Sequence, residues 1–169
     1  AAGRAISATA ETGAPARVSG AFEPLPHQLV ALERAMHCNP VRLLFADEVG
    51  LGKTIEAGLV ITELLARGRI QRVLIVAPKG VQLQWVSEMQ LHFDIEFVRV
   101  GAEGIPVDAG IDPWKTFDRV VCSLDSVKPL GAREGWEPER LDAYNQLRFD
   151  AVVGAGWDIV IFDEAHHVA

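Results

Sequence analysis

A chain of 169 residues, 49% hydrophobic and 23% charged, has the size and apolar content of one globular domain with a real core. Its 16 basic and 23 acidic residues leave a formal charge of −7, so the chain as a whole is no basic nucleic-acid clamp. Cys38 and Cys122 stand without a second ligand at metal-binding spacing, which excludes a disulfide framework and a zinc site and suits a reducing cytoplasm. No apolar run approaches the roughly 18 residues of a membrane span, so a soluble, cytoplasmic protein is expected.

Residues 1–22 are small, polar and punctuated by Gly and Pro, with Ile6 and Val18 the only large aliphatics before residue 21; they read as a tail or linker. From His27, the apolar residues Leu29, Leu32 and Met36 recur at helical spacing, and Asn39-Pro40 closes that helix. Leu43 to Ala46 then reads as a short buried strand, Gly50 to Gly52 as a turn, and Lys53 to Arg67 as a helix stopped by Gly68. The pattern repeats. Val73 to Val76 is an apolar strand ended by Pro78, and Val81, Trp85 and Met89 recur at every fourth position, as on one face of a helix. Phe97 to Val100 and Arg119 to Cys122 are further expected strands, and Ile159 to Phe162 is the most apolar. Between Pro129 and Gly156 a less regular segment, with a helix expected from Pro138 to Phe149, reads as an insertion at 129–156. Alternating strands and helices predict an α/β fold, a parallel sheet covered on both faces.

Two segments carry chemistry. Asp47-Glu48-Val49-Gly50-Leu51-Gly52-Lys53-Thr54 fits the phosphate-loop pattern G-x-x-x-x-G-K-[ST] everywhere but at its first position, where Asp47 replaces glycine. Glycines let successive N–H groups converge on phosphate oxygens, the helix beginning near Lys53 adds its positive end, Lys53 supplies a point charge, and Thr54 offers a hydroxyl to Mg²⁺. Farther on, the strand Ile159–Phe162 runs directly into Asp163-Glu164-Ala165-His166, and a parallel strand delivers the residues past its C-terminal end into the ligand crevice. There Asp163 would hold Mg²⁺ and Glu164 would orient or deprotonate an attacking water.

Together these strings resemble superfamily 2 helicases, and within them the Swi2/Snf2 family, whose loop typically begins with Asp-Glu, as Asp47-Glu48 does here. The longer string from Asp47 to Gly58, with Ser123-Leu124-Asp125 and Asp163-Glu164-Ala165-His166-His167, looks most like the bacterial branch associated with RNA polymerase and with phage defence. The resemblance runs from about Leu25 to the C-terminus. It implies a RecA-like P-loop NTPase lobe over residues 23–169, truncated after the Asp163-Glu164 motif, that binds ATP and Mg²⁺ and drives translocation along duplex DNA. It also implies a second RecA-like lobe supplying an arginine, so residues 1–169 alone are expected to bind nucleotide weakly and hydrolyse little of it. RNA polymerase or defence-system subunits are the partners it suggests.

Residue by residue, the resemblance places Glu48, Val49, Gly50, Leu51, Gly52, Lys53 and Thr54 on the phosphates, and His27 with Gln28 at the adenine, where an amide can donate and accept at once. It assigns catalysis to Lys53, Asp163 and Glu164 and the metal to Thr54 and Asp163. Lys79, Ser123 and Lys128 become contacts to nucleic-acid phosphates, with a plain helix N-cap by Ser123 or Asp125 as the alternative, and His166 a coupling residue. For Trp85 the helical stripe with Val81 and Met89 points to core packing. The scattered Trp114, Trp136 and Trp157 read as packing residues too, since no aromatic-basic alternation marks a stacking platform. Two other functions remain compatible with the motifs: a strand-separating RNA or DNA helicase, and a non-catalytic nucleotide-dependent interaction module.

Overall fold

A computed structural model describes residues 23–45, 52–101, 104–106 and 110–164. Helix α1 (Pro26–His37) starts with Pro at a position where its missing N–H costs nothing, and the Gln28 Oε1 accepts a hydrogen bond from the Leu25 N–H at 2.9 Å. Its inward face is Gln28, Leu32 and Ala35, while Leu29, expected inside, is exposed. Helix α2 (Lys53–Ala66) is buried almost continuously from Glu56 to Leu64, as expected of a helix enclosed on several sides. It packs against α1 and against α3 (Gln82–Phe93).

Four strands, β1 (Val73–Val76), β2 (Val98–Val100), β3 (Arg119–Cys122) and β4 (Ile159–Phe162), form one sheet in the order β2-β3-β1-β4. Every pairing is parallel. Consecutive β-carbons point to opposite faces, and two apolar cores follow. Val73, Ile75 and Val121 join the core built with α1, α2 and α3. Leu74, Val76, Val120 and Cys122 face the other, which contains Trp114 from α4 (Pro113–Thr116), flanked by Leu124 and Val127 of α5 (Leu124–Val127) and Ala151 and Val152 of α6 (Pro138–Val153). Helices therefore cover both faces of the parallel sheet at β1 and β3, while Val160 and Phe162 of β4 remain exposed. At the sheet's lower edge the Asp158 carboxylate accepts the N–H groups of Gln71 and Arg72 at 2.7 and 2.8 Å, clamping the start of β4 to the start of β1; those two bonds hold its carboxyl below the ordinary range.

One expected element is absent. Residues 43–45 form no strand, which corrects the reading of Leu43 to Ala46 as a buried one; Ala46 lies outside the described residues. A strand exists only through a pairing partner, and among the described residues β4 is hydrogen-bonded on its β1 side alone. Leu44 is accordingly 78% exposed, and an open cleft separates this segment from β4. The short helix α4 is not among the expected elements, and α5 only through the N-cap alternative at Ser123; the other differences are at element ends: β2 starts at Val98, and α6 runs past Phe149 to Val153, where Gly154 follows. The tail expected at 1–22 lies outside the described residues.

Candidate nucleotide and nucleic-acid site

In a parallel sheet all strands point their C-terminal ends to one edge, so the loops that leave them share a crevice. Val76 pairs with both Cys122 and Phe162, which levels the ends of β1, β3 and β4. Ala77 and Asp163 continue the ladder, with the Ala77 N–H donating to the Cys122 carbonyl and the Asp163 N–H to the Val76 carbonyl, both at 2.9 Å. Pro78-Lys79, Ser123-Leu124-Asp125 and Asp163-Glu164 thus emerge side by side.

Two clefts open along this edge. The larger, about 540 Å³, is lined by Lys53, Ala57 and Val60 of α2, by Trp85 of α3, by residues 41–45, and by β4 with Asp163 and Glu164. The smaller, about 200 Å³, is lined by Val76 to Lys79, Ser123 to Asp125, and again Asp163. Asp163 belongs to both.

Around the larger cleft, Lys53 and Thr54 occupy the first two positions of α2, half-buried at its positive end. Gly52, the cap before them, has φ 82, a left-handed conformation that glycine adopts without strain. A β-carbon there would also stand 2.9 Å from the Gln28 Nε2. Gln28 is 3% exposed, and its amide lies between Leu25, which donates to its carbonyl oxygen, and the Gly52 backbone. His27, beside it, is on the exposed side of α1. The Asp163 carboxylate takes one N–H on each oxygen: the Glu164 main chain on Oδ1 at 3.0 Å and the Trp85 indole on Oδ2 at 2.8 Å. Glu164 itself has φ 53, a conformation that costs an L-residue about 1–2 kcal/mol.

Trp85 is the residue that sequence reasoning missed. It is 3% exposed and belongs to the core, as its stripe with Met89 implies, yet it also holds a carboxylate 78 positions away. The available signal is general: a buried indole N–H needs an acceptor, and helical spacing does not reveal which.

Of the expected phosphate contacts, Lys79 and Ser123 line the smaller cleft, and Lys128 reaches it only through Asp125. The Lys79 and Lys128 ammonium groups both pair with Asp125, at 3.1 and 2.7 Å, and the two lysines lower the Asp125 pKa. Each lysine remains about half exposed. The Ser123 hydroxyl is turned inward against the Ser126 hydroxyl at 3.1 Å and is buried. Glu48, Val49, Gly50, Leu51 and His166 lie outside the described residues. The remaining tryptophans pack: Trp114 is in the second core, Trp157 lies under the Arg72 guanidinium, and Trp136 sits edge-on to Tyr144 between Arg133 and Arg140.

A family model for the SNF2-related domain matches residues 27–169. The chain belongs to the SNF2-related domain family. Relatives include the "RNA polymerase-associated protein RapA" of Serratia proteamaculans, 41% identical over 86% of this chain, and that of Proteus mirabilis, 39% identical over 85%. The chain spans 14% of the length of each. The "Sulfolobus solfataricus SWI2/SNF2 ATPase core in complex with dsDNA" shares the fold, with a TM-score of 0.65 and 18% identity over 91% of this chain and 28% of that one. The SNF2-related lobe described here is thus RecA-like, as its four-stranded parallel sheet implies. No helix among the described residues is long and apolar enough to cross a membrane.

Proposed function

We propose that this SNF2-related lobe binds ATP with Mg²⁺ in the larger cleft and that, in the whole protein, hydrolysis there drives translocation along double-stranded DNA. One observation carries this reading: Lys53, Asp163 and Glu164, from the two ends of the folded chain, line one cleft. A lysine at a helix N-terminus suits phosphate oxygens, and a carboxylate with lone pairs left beyond its two N–H contacts suits a hard cation. The donor set fits Mg²⁺, which takes one or two protein groups, here Asp163 and Thr54, and completes its shell with water and phosphate oxygens. Bound there, Mg²⁺ would neutralise charge developing on the phosphates. Lys53 would hold the terminal phosphates, and Glu164 would orient the attacking water and accept its proton. Glu48 to Gly52 would supply main-chain N–H groups. His27 and Gln28 would stand at the adenine, with the Gln28 amide also bracing the loop at Gly52.

Lys79 and Lys128 would contact the DNA backbone, and Ser123 would join them only by turning its buried hydroxyl away from Ser126. Asp125 holds the two lysines together, and phosphate oxygens would compete with it for them. In this reading His166 couples the nucleotide to the rest of the motor, and residues 129–156 are an insertion in a cytoplasmic lobe. A second RecA-like lobe would bring the arginine that phosphoryl transfer requires, so residues 1–169 alone would turn over little ATP. The RapA relatives support RNA polymerase as a partner class, with defence-system subunits as the other. The test is ATP hydrolysis by the full-length polypeptide with duplex DNA, single-stranded DNA or RNA, beside Glu164→Gln. Duplex stimulation abolished by the substitution is expected. Stimulation by single strands or RNA alone would replace translocation with strand separation, and no hydrolysis at all would leave only a binding module.

A further inference from the structure

We infer that Trp85 is a positioning residue for the metal-binding carboxylate, an inference that rests on the nucleotide-site reading above. The indole is 3% exposed and is packed in the core that also holds Met89, Phe93 and Ile75. An indole has two side-chain torsions and one donor and accepts nothing, so packing that fixes the rings also fixes the direction of the N–H. That direction ends on Asp163 Oδ2 at 2.8 Å. The opposite oxygen is held by the Glu164 N–H at 3.0 Å, and the Asp163 main chain is tied to Val76. The carboxylate is therefore held at the backbone and at both oxygens.

A group held in this way loses little conformational freedom on binding a cation, and outer hydrogen bonds of this kind change metal affinity by about 10–100-fold when removed. The same indole forms part of the wall of the cleft that holds Lys53 and Asp163. Losing its N–H would leave the cleft's shape intact while freeing Asp163 to rotate. Lys53 and the loop N–H groups act on phosphate without Asp163, so nucleotide affinity in the absence of metal does not depend on this bond.

The experiment uses the full-length polypeptide with Trp85→Phe and, separately, with Trp85 replaced by 3-benzothienylalanine, which keeps the two-ring shape and has no N–H. Binding of a fluorescent ATP analogue is titrated in EDTA and across a Mg²⁺ series. The benzothienyl variant is expected to bind as the wild type does in EDTA and to need about tenfold more Mg²⁺ for half of the metal-dependent gain, and Trp85→Phe to show the same Mg²⁺ shift. A benzothienyl variant with the wild-type Mg²⁺ midpoint would overturn the inference, as would equal losses with and without Mg²⁺, which would make Trp85 a packing residue only. If Trp85→Phe does not fold, the benzothienyl variant decides. A wild-type protein whose nucleotide binding ignores Mg²⁺ would overturn the nucleotide-site reading and this inference together, and is recognisable without either variant.

Discussion

Glu164 keeps a left-handed backbone, φ 53, at a cost of about 1–2 kcal/mol, and such strain persists only where the surroundings impose it. Here the strand end ties down Asp163, whose carboxylate in turn accepts the Glu164 N–H. Chemistry is withheld elsewhere. Burial pushes the Cys122 thiol from 9.0 up to about 12, so it stays protonated and inert at neutral pH, whereas Cys38 is partly exposed. In native protein at pH 8 a thiol reagent is expected to modify Cys38 and leave Cys122 until denaturant is added; fast native modification of Cys122 would show its burial to be wrong. The raised folded pKa also means that Cys122 stabilises the fold fully below its unfolded value of 9.0 and that this contribution is lost as pH rises towards about 12. Unfolding in urea over that range should show it, with Cys122→Ala flattening the slope.

At this scale the sequence is legible where the candidate site residues stand in contiguous strings. Lys53, Asp163 and Glu164 stand beside their strand ends and helix starts, so neighbours in sequence announce them. The Trp85–Asp163 bond spans 78 positions, and nothing local in either residue names the other. Gln28 is similar: its burial against Gly52 depends on how α1 docks on α2.

Among elements, the contact between α2 and α3 is close, and the sequence does not advertise it. Gly58 lies in the middle of α2, where a β-carbon would overlap the ring of Phe93 at the end of α3. In a helix interior Gly→Ala ordinarily gains about 0.5–1 kcal/mol, but overpacking a core costs about 1–3 kcal/mol, so the clash prevails. Gly58→Ala is expected to lower stability by about 1–2 kcal/mol in urea unfolding, with Phe93→Leu in the same chain recovering part of the loss. A stabilised Gly58→Ala protein would mean the helices stand farther apart. The strand β1 and the Val120 to Cys122 part of β3 are legible as apolar runs, because a strand buried on both faces has no polar side to show; β4 is equally apolar although Val160 and Phe162 are exposed on one of its faces. The segment 43–45 has the same composition but no bonded neighbour, and a strand cannot be read from one partner's residues alone.

For the whole molecule, the decisive feature is that one carboxylate, Asp163, borders both clefts. The proposed nucleotide cleft and the cleft at Lys79 share that wall and can influence each other through it. The net charge of −7 fits a lobe whose cations are gathered locally, with Lys79 and Lys128 held by Asp125. The most direct test separates nucleotide binding from turnover in the full-length polypeptide, comparing the wild type with Lys53→Ala and Glu164→Gln. Lys53→Ala should weaken Mg²⁺·ATP binding by tenfold or more, roughly the 1.5–3 kcal/mol of a lost charged hydrogen bond, while Glu164→Gln should bind ATP as the wild type does and hydrolyse it at least about a hundredfold more slowly. Glu164→Gln turning over ATP at the wild-type rate, or Lys53→Ala binding it with undiminished affinity, would contradict the nucleotide site proposed for this cleft.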